Sequence, residues 1–338
     1  MKIEEIAKLM VAKGRGILAA DESTGTMGKR LKSVNIESNE KNRLHFRETL
    51  FTSSAMKSSI SGVILYDETI KQSSSQGIPI PELIKKNGSI PGIKVDKGVK
   101  LLAGSSGEKI TEGLDGLKER MDEYYKLGAR FAKWRAVYSI LSNQPSEQCI
   151  KANAHALARY AAIVQEAKMV PIVEPEVLMD GDHTIDKCYE VTSKVLIECF
   201  KELKINNVKL EGTVLKPNMI LPGSSCKKKA NTDEIAKKTL DCLKKTMPKE
   251  VPGVAFLSGG QSEVEATKNL NAINKINDTN FNFTFSYGRA LQQSALKTWS
   301  KSMEDTKNIQ KVFDHRAKMN SASTEGKWEE KFEKNFAA

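Results

Sequence analysis

The sequence predicts an α/β fold, a (β/α)8 (TIM) barrel with extra terminal helices. Three observations carry that expectation. Eight short apolar runs recur along the chain, each of strand length and rich in β-branched or aromatic residues. Helix-period patterns lie between most of them. The first six runs also end in charged residues. Strands alternating with helices imply parallel strands joined by right-handed crossovers. Eight such units in 338 residues fit a closed barrel. An open doubly wound sheet is the alternative. It would carry a glycine-rich phosphate loop after its first strand, where this chain has Ala19-Ala20-Asp21-Glu22-Ser23.

Taken in order, the chain opens with Ile3, Ile6, Leu9 and Met10 on one helical face. The charges between them do not suit a secretory signal. The eight runs are Gly16 to Asp21, Gly62 to Asp67, Gly92 to Asp96, Ala129 to Arg135, Val170 to Glu176, Leu210 to Lys216, Gly253 to Ser258 and Phe281 to Tyr287. Amphipathic stretches at 117–127, 152–167 and 192–203 supply crossover helices. No linker or low-complexity segment divides the chain, so residues 1–338 are expected to form one barrel domain. From about residue 301 a charged helical appendage and a tail follow.

Composition narrows the function classes. Hydrophobic content of 39% with 28% charge suits a globular protein free in water. No run approaches the ~20 apolar residues of a membrane helix, and no membrane partner is expected. Five cysteines form no CxxC, which points to a reducing, cytoplasmic setting. The net charge of +11 suits nucleic acid or phosphorylated small molecules. The lysine clusters lack interleaved aromatics, which disfavours nucleic acid. Four histidines, His45, His155, His183 and His315, show no zinc-pair spacing, so no metal is expected. Asp180-Gly-Asp-His183 reads as a polar loop.

In such a barrel the active site lies at the C-terminal strand ends. Here those ends carry Asp21, Lys94 and Asp96, Lys133 and Arg135, Glu174 and Glu176, Lys216 and Arg289. Alternate residues of a strand share a face, so each i, i+2 pair projects to one side. Strands four, five and six are neighbours, which sets Lys133, Glu174 and Lys216 side by side in the mouth. A lysine beside another cation in a partly desolvated site has its neutral form favoured. A neutral amine can attack a carbonyl and form a Schiff base. The seventh strand ends in Ser258-Gly259-Gly260 and the eighth in Ser286-Tyr287-Gly288-Arg289. Loops at these two places commonly hold phosphate, through backbone N–H groups, a helix N-terminus and an arginine fork.

GILAADES, GVILYDET, GIKVDKG, FAKWR, PIVEPEVL, LKPNM, FLSGGQS and TFSYGRALQ, in this order, resemble the class I fructose-bisphosphate aldolase family from about residue 14 to 300. The resemblance implies a (β/α)8 barrel, commonly a homotetramer. It also implies metal- and cofactor-free, reversible cleavage of fructose 1,6-bisphosphate to dihydroxyacetone phosphate and glyceraldehyde 3-phosphate. On that resemblance Lys216 forms the Schiff base and Glu174, supported by Glu176, moves protons during iminium formation. Lys133, with Arg135 beside it, stabilises charge, and Asp21 assists proton removal from the C4 hydroxyl. Ser258, Gly259, Gly260, Ser286, Gly288 and Arg289 match the C1-phosphate site. Arg30, Ser23 and Lys94 match residues around the rest of the substrate and its second phosphate. Thr26 stands where many relatives have serine. Animal members end in a tail with a terminal tyrosine that moves the C3 proton; no tyrosine follows Tyr287 here. A lid or packing role for Trp328, Phe332 and Phe336 is the expectation in its place. An aldolase for another phosphorylated ketose, or a non-catalytic basic binding protein on this scaffold, are the alternative readings.

Overall fold

In the computed structural model, which describes residues 1–141, 143–334 and 336, ten segments are strands. They are Gly16–Ala20 (β1), Ile60–Leu65 (β2), Ile90–Lys94 (β3), Val99–Leu101 (β4), Lys109–Thr111 (β5), Phe131–Tyr138 (β6), Val170–Val177 (β7), Val214–Leu215 (β8), Gly253–Phe256 (β9) and Asn282–Tyr287 (β10). Eight of them close into a parallel barrel in the order β1-β2-β3-β6-β7-β8-β9-β10 and back to β1. These are the eight runs read from the sequence, with shifted ends. The pair β4 and β5 is an antiparallel hairpin inserted after β3, which the sequence reading did not foresee.

The sixth run needs correcting. It was expected as a strand from Leu210 to Lys216. Leu210–Gly212 is instead a turn of 3-10 helix, and only Val214–Leu215 pairs as a strand. This turn packs against the first helix: a Cβ on Gly212 would lie 2.6 Å from the Ile3 side chain, so only glycine fits that contact.

Period-two alternation sorts the strand residues into two cores. Outward-facing residues pack under the surrounding helices as one large apolar layer, with Trp134, Tyr160 and Trp299 among its fully buried members. Inward-facing residues make a second, smaller cluster: Ile17 and Ala19 on β1, Ile64 on β2, Phe131 on β6, Val170 and Ile172 on β7, Val214 on β8 and Ala255 on β9. The helix Ile3–Met10 closes this inner cluster from below with Ile6, Ala7 and Met10, followed by Val11. Two residues further along the same faces come Asp21, Lys133, Glu174 and Lys216. The alternation that fills the barrel with apolar groups thus puts charge at its upper end.

Candidate active site

The mouth is a cavity of about 460 Å3 whose lining includes every catalytic and phosphate-binding candidate named from the sequence. At its centre Glu174 on β7 stands between two lysines. Its Oε1 is 3.1 Å from Lys216 Nζ and its Oε2 is 3.3 Å from Lys133 Nζ. Lys133 also reaches Asp21 at 2.8 Å, across the barrel from β6 to β1. These four side chains are 5, 5, 5 and 13% exposed, for Glu174, Lys216, Lys133 and Asp21. Four ionisable groups at such depth are tolerated only because each is paired.

Their electrostatics follow from that pairing. Burial pushes the Asp21 carboxyl up, but the charges of Lys133, Lys216 and Lys94 outweigh it and hold the group well below the usual carboxylate range. Glu174 is lowered in the same way: burial raises it, while Lys133, Lys216 and Arg135 bring it down. Burial works against the Lys133 ammonium, yet Asp21, Glu174 and Asp96 raise it above its ordinary value. Arg135 is likewise raised, Glu176 overcoming burial, and donates its Nε–H to Glu176 at 2.5 Å. Lys94 lies 3.4 Å from Asp96, a strand-end charge of the third apolar run to which the sequence assigned no role of its own. A net of alternating signs therefore runs around the β3, β6, β7, β8 arc.

The nucleophile candidate is held beyond a strand only two residues long. Lys216 N–H donates to Val173 C=O at 2.8 Å, continuing the ladder by one bond. Asn218 then bridges to β7: its Oδ1 accepts from Val177 N–H at 2.9 Å, and its amide donates to Thr192 Oγ1 at 3.2 Å. On the other side Leu257 N–H donates to Pro217 C=O at 3.1 Å. Asn218 was not singled out from the sequence, although it stands within the LKPN motif.

The C1-phosphate candidates gather on the opposite arc. Gly259 and Gly260 adopt φ of 55° and 79°, where a side chain is strained. A Cβ on Gly260 would also sit 2.5 Å from Met179 Sδ. Gln261 donates its amide to Ser258 C=O at 2.7 Å and is held in turn by Asn269 at 2.7 Å, which fixes the turn. Gly288 precedes the helix Arg289–Lys301, so Arg289 opens that helix at its positive end. Ser286 Oγ is buried without a partner beside them. The Arg30 guanidinium lies 3.4 Å from where a Cβ on Gly288 would be. Arg30 therefore stands with the Gly288 loop, whereas Lys94 lies on the β3 side of the mouth and Ser23 follows β1.

The tail does not reach this cavity: no residue beyond Arg289 lines it among the described residues. Trp328 is buried and receives a backbone hydrogen bond arrangement of its own, donating its N–H to Asn271 Oδ1 at 2.9 Å. Glu333 accepts from Arg316 at 2.9 and 2.7 Å and from Trp328 Nε1 at 3.0 Å, and Phe336 stacks on His315. The tail here packs on the helix Thr306–Thr324 through Glu333 and Phe336.

The comparisons with known proteins agree with this geometry. The family model described as fructose-bisphosphate aldolase class-I matches residues 2–338. The chain is 54% identical over 314 residues to cytosolic fructose-bisphosphate aldolase 4 of Arabidopsis thaliana, covering 93% of this chain and 80% of that protein. It is 50% identical over 325 residues to the fructose-bisphosphate aldolase of Dictyostelium discoideum, covering 95% and 91%. Among solved structures, the aldolase of Plasmodium falciparum, in a ternary complex with TRAP and a small molecule inhibitor, superposes with a TM-score of 0.94. It has 46% identity, with 97% of this chain and 95% of that one covered. The lysine–carboxylate centre and the facing phosphate loop thus sit in a chain that belongs to the class I fructose-bisphosphate aldolase family.

Proposed function

We propose that the chain performs the class I aldolase reaction on fructose 1,6-bisphosphate with Lys216 as the imine-forming amine. The observation that carries this reading is the contact of Lys216 with Glu174 at 3.1 Å, deep in a mouth that also holds a glycine turn and Arg289. Glu174 starts as a carboxylate, so it can take the Lys216 proton across that contact. The free amine then attacks the C2 carbonyl of the open-chain ketose. Glu174 returns its proton to the departing hydroxyl, water leaves, and an iminium remains. Asp21, kept ionised, removes the C4 hydroxyl proton. The C3–C4 bond breaks, its electron pair neutralises the iminium to an enamine, and the aldehyde product is released. Lys133 stays cationic beside both carboxylates and balances the charge that moves between them. Glu176 holds Arg135 at the rim. Ser258, Gly259, Gly260, Ser286, Gly288, Arg289 and Arg30 take the C1 phosphate; Ser23 and Lys94 take the far end of the substrate.

The test is borohydride reduction with dihydroxyacetone phosphate, followed by peptide mapping. One triose adduct on the peptide containing Lys216 is expected, and Lys216→Ala should lose both the adduct and turnover while remaining folded. An adduct on Lys94 or Lys133 would overturn the assignment. The assembly proposed is a homotetramer in the cytosol, as the family resemblance and the cytosolic relatives support. Sedimentation equilibrium giving a monomer or dimer would reject the first part. No helix among the described residues is long and apolar enough to cross a membrane.

A further inference from the structure

A charged cluster centred on Arg47 backs the mouth, and Arg47 itself takes no part in the steps above. Arg47, on the helix Glu40–Phe51 outside the barrel, is only 1% exposed, and none of its atoms lines the cavity. Its Nη2 donates to the backbone carbonyl of Glu22 at 2.8 Å and lies 3.6 Å from the Glu22 carboxylate. Its Nη1 donates to Thr69 Oγ1 at 2.7 Å and lies 4.0 Å from Glu68. Arg43 holds Glu68 with a two-pronged contact at 2.8 and 2.5 Å. Glu22 follows Asp21 directly, and its carboxylate accepts from Arg30. Gln292 donates to Ala19 C=O at 2.8 Å and approaches Glu22 at 3.4 Å, tying the same strand end from the other side.

We infer that Arg47 is a positioning residue for both Asp21 and Arg30, acting through Glu22. β1 ends at Ala20, so Asp21 and Glu22 have no ladder to hold them. The Arg47 bond to the Glu22 carbonyl fixes that stretch of main chain, and with it the direction in which Asp21 projects. The Glu22 carboxylate, oriented between Arg47 and Gln292, sets Arg30 against the Gly288 loop. A buried guanidinium is suited to this task because one rigid fork serves two acceptors at once. Lysine offers a single point charge and cannot reproduce it. The inference rests on the roles given above to Asp21 and Arg30.

The two arms separate in kinetics. None of the Arg47 contacts reaches Lys216 or Glu174, which stand on the β7–β8 side of the mouth, so imine formation should survive the disruption of this cluster. Arg47→Lys in the full-length enzyme is expected to lower kcat for bisphosphate cleavage at least tenfold and raise KM several-fold. The extent of borohydride trapping on Lys216 at saturating dihydroxyacetone phosphate should stay within twofold. Glu22→Gln, nearly isosteric, should show the same split, and it decides the matter if Arg47→Lys does not accumulate as folded protein. Cleavage constants within twofold of the parent in a folded variant would overturn the inference. So would trapping that declines in step with cleavage, since that is the mark of general destabilisation. No adduct in the unaltered enzyme would overturn both this inference and the Lys216 reading, and is distinguishable for that reason.

Discussion

Asp21 and Glu174 begin as carboxylates, and that fixes the pH behaviour of the mouth. Both are held below their ordinary values of 3.8 and 4.5. A carboxyl lowered on folding adds stability above its ordinary value and loses that contribution as pH falls through the lowered one. Lys133, raised from 10.5, contributes fully below that value and loses its share as pH climbs above it. Thermal stability is therefore expected to drop below about pH 4, and the mouth to loosen at the alkaline end beyond 10.5. The cleavage kcat/KM reports the free enzyme's groups, so it should show no acid limb from these carboxyls between pH 5 and 7. A limb centred there would assign the proton-accepting role to another group. At the phosphate end, a charge-assisted bond is worth roughly 1.5–3 kcal/mol. Arg289→Ala should then raise KM for the bisphosphate by about tenfold or more, at ~1.4 kcal/mol per decade. An unchanged KM would place the phosphate elsewhere.

The elements show where local signals suffice and where they do not. Period two, and the adjacency of consecutive strands, were enough to read Lys133, Glu174 and Lys216 as one row, because both are properties of sequence spacing. The Leu210 run was misread because its β-branched content describes a strand, whereas Gly212 and Ile3 meet only in three dimensions. The hairpin of β4 and β5 went unread because three-residue strands with mostly exposed side chains leave no alternation to detect. Arg47 and Asn218 had no signal of their own. Arginine on a helix and asparagine after a proline both look like surface residues until burial is known. The shortness of β8 makes Asn218 the element's extension. Asn218→Ala would leave Val177 N–H unpaired in the interior, a loss of about 1–3 kcal/mol. Pre-steady-state trapping on Lys216 should slow while its final extent persists. An unaltered trapping rate would show that the backbone bond to Val173 positions the lysine alone.

At the scale of the whole molecule, the tail and the floor seal opposite sides of the catalytic question. Removing residues after Lys327 exposes the surface under Trp328 and leaves Arg316, only 7% exposed, without Glu333. The melting temperature should fall by about several degrees, while cleavage and trapping change no more than a few-fold. A collapse of proton exchange at C3 with trapping intact would instead give the tail a chemical role. Cleavage should also continue in excess EDTA, as expected of a class I enzyme; activity lost and then restored by zinc or cobalt would contradict the imine route. The floor reaches further than stability. Ile6, Ala7, Met10 and Val11 stop the barrel's lower end, and the inner apolar layer fills the space above them. The reaction chamber is a cul-de-sac. The ketose entering, the water shed as the imine forms, the water that later frees Lys216 and both three-carbon products must all share one doorway. Turnover is therefore a queue at that doorway, in which one departing molecule has to clear before the next arrival can reach the lysine.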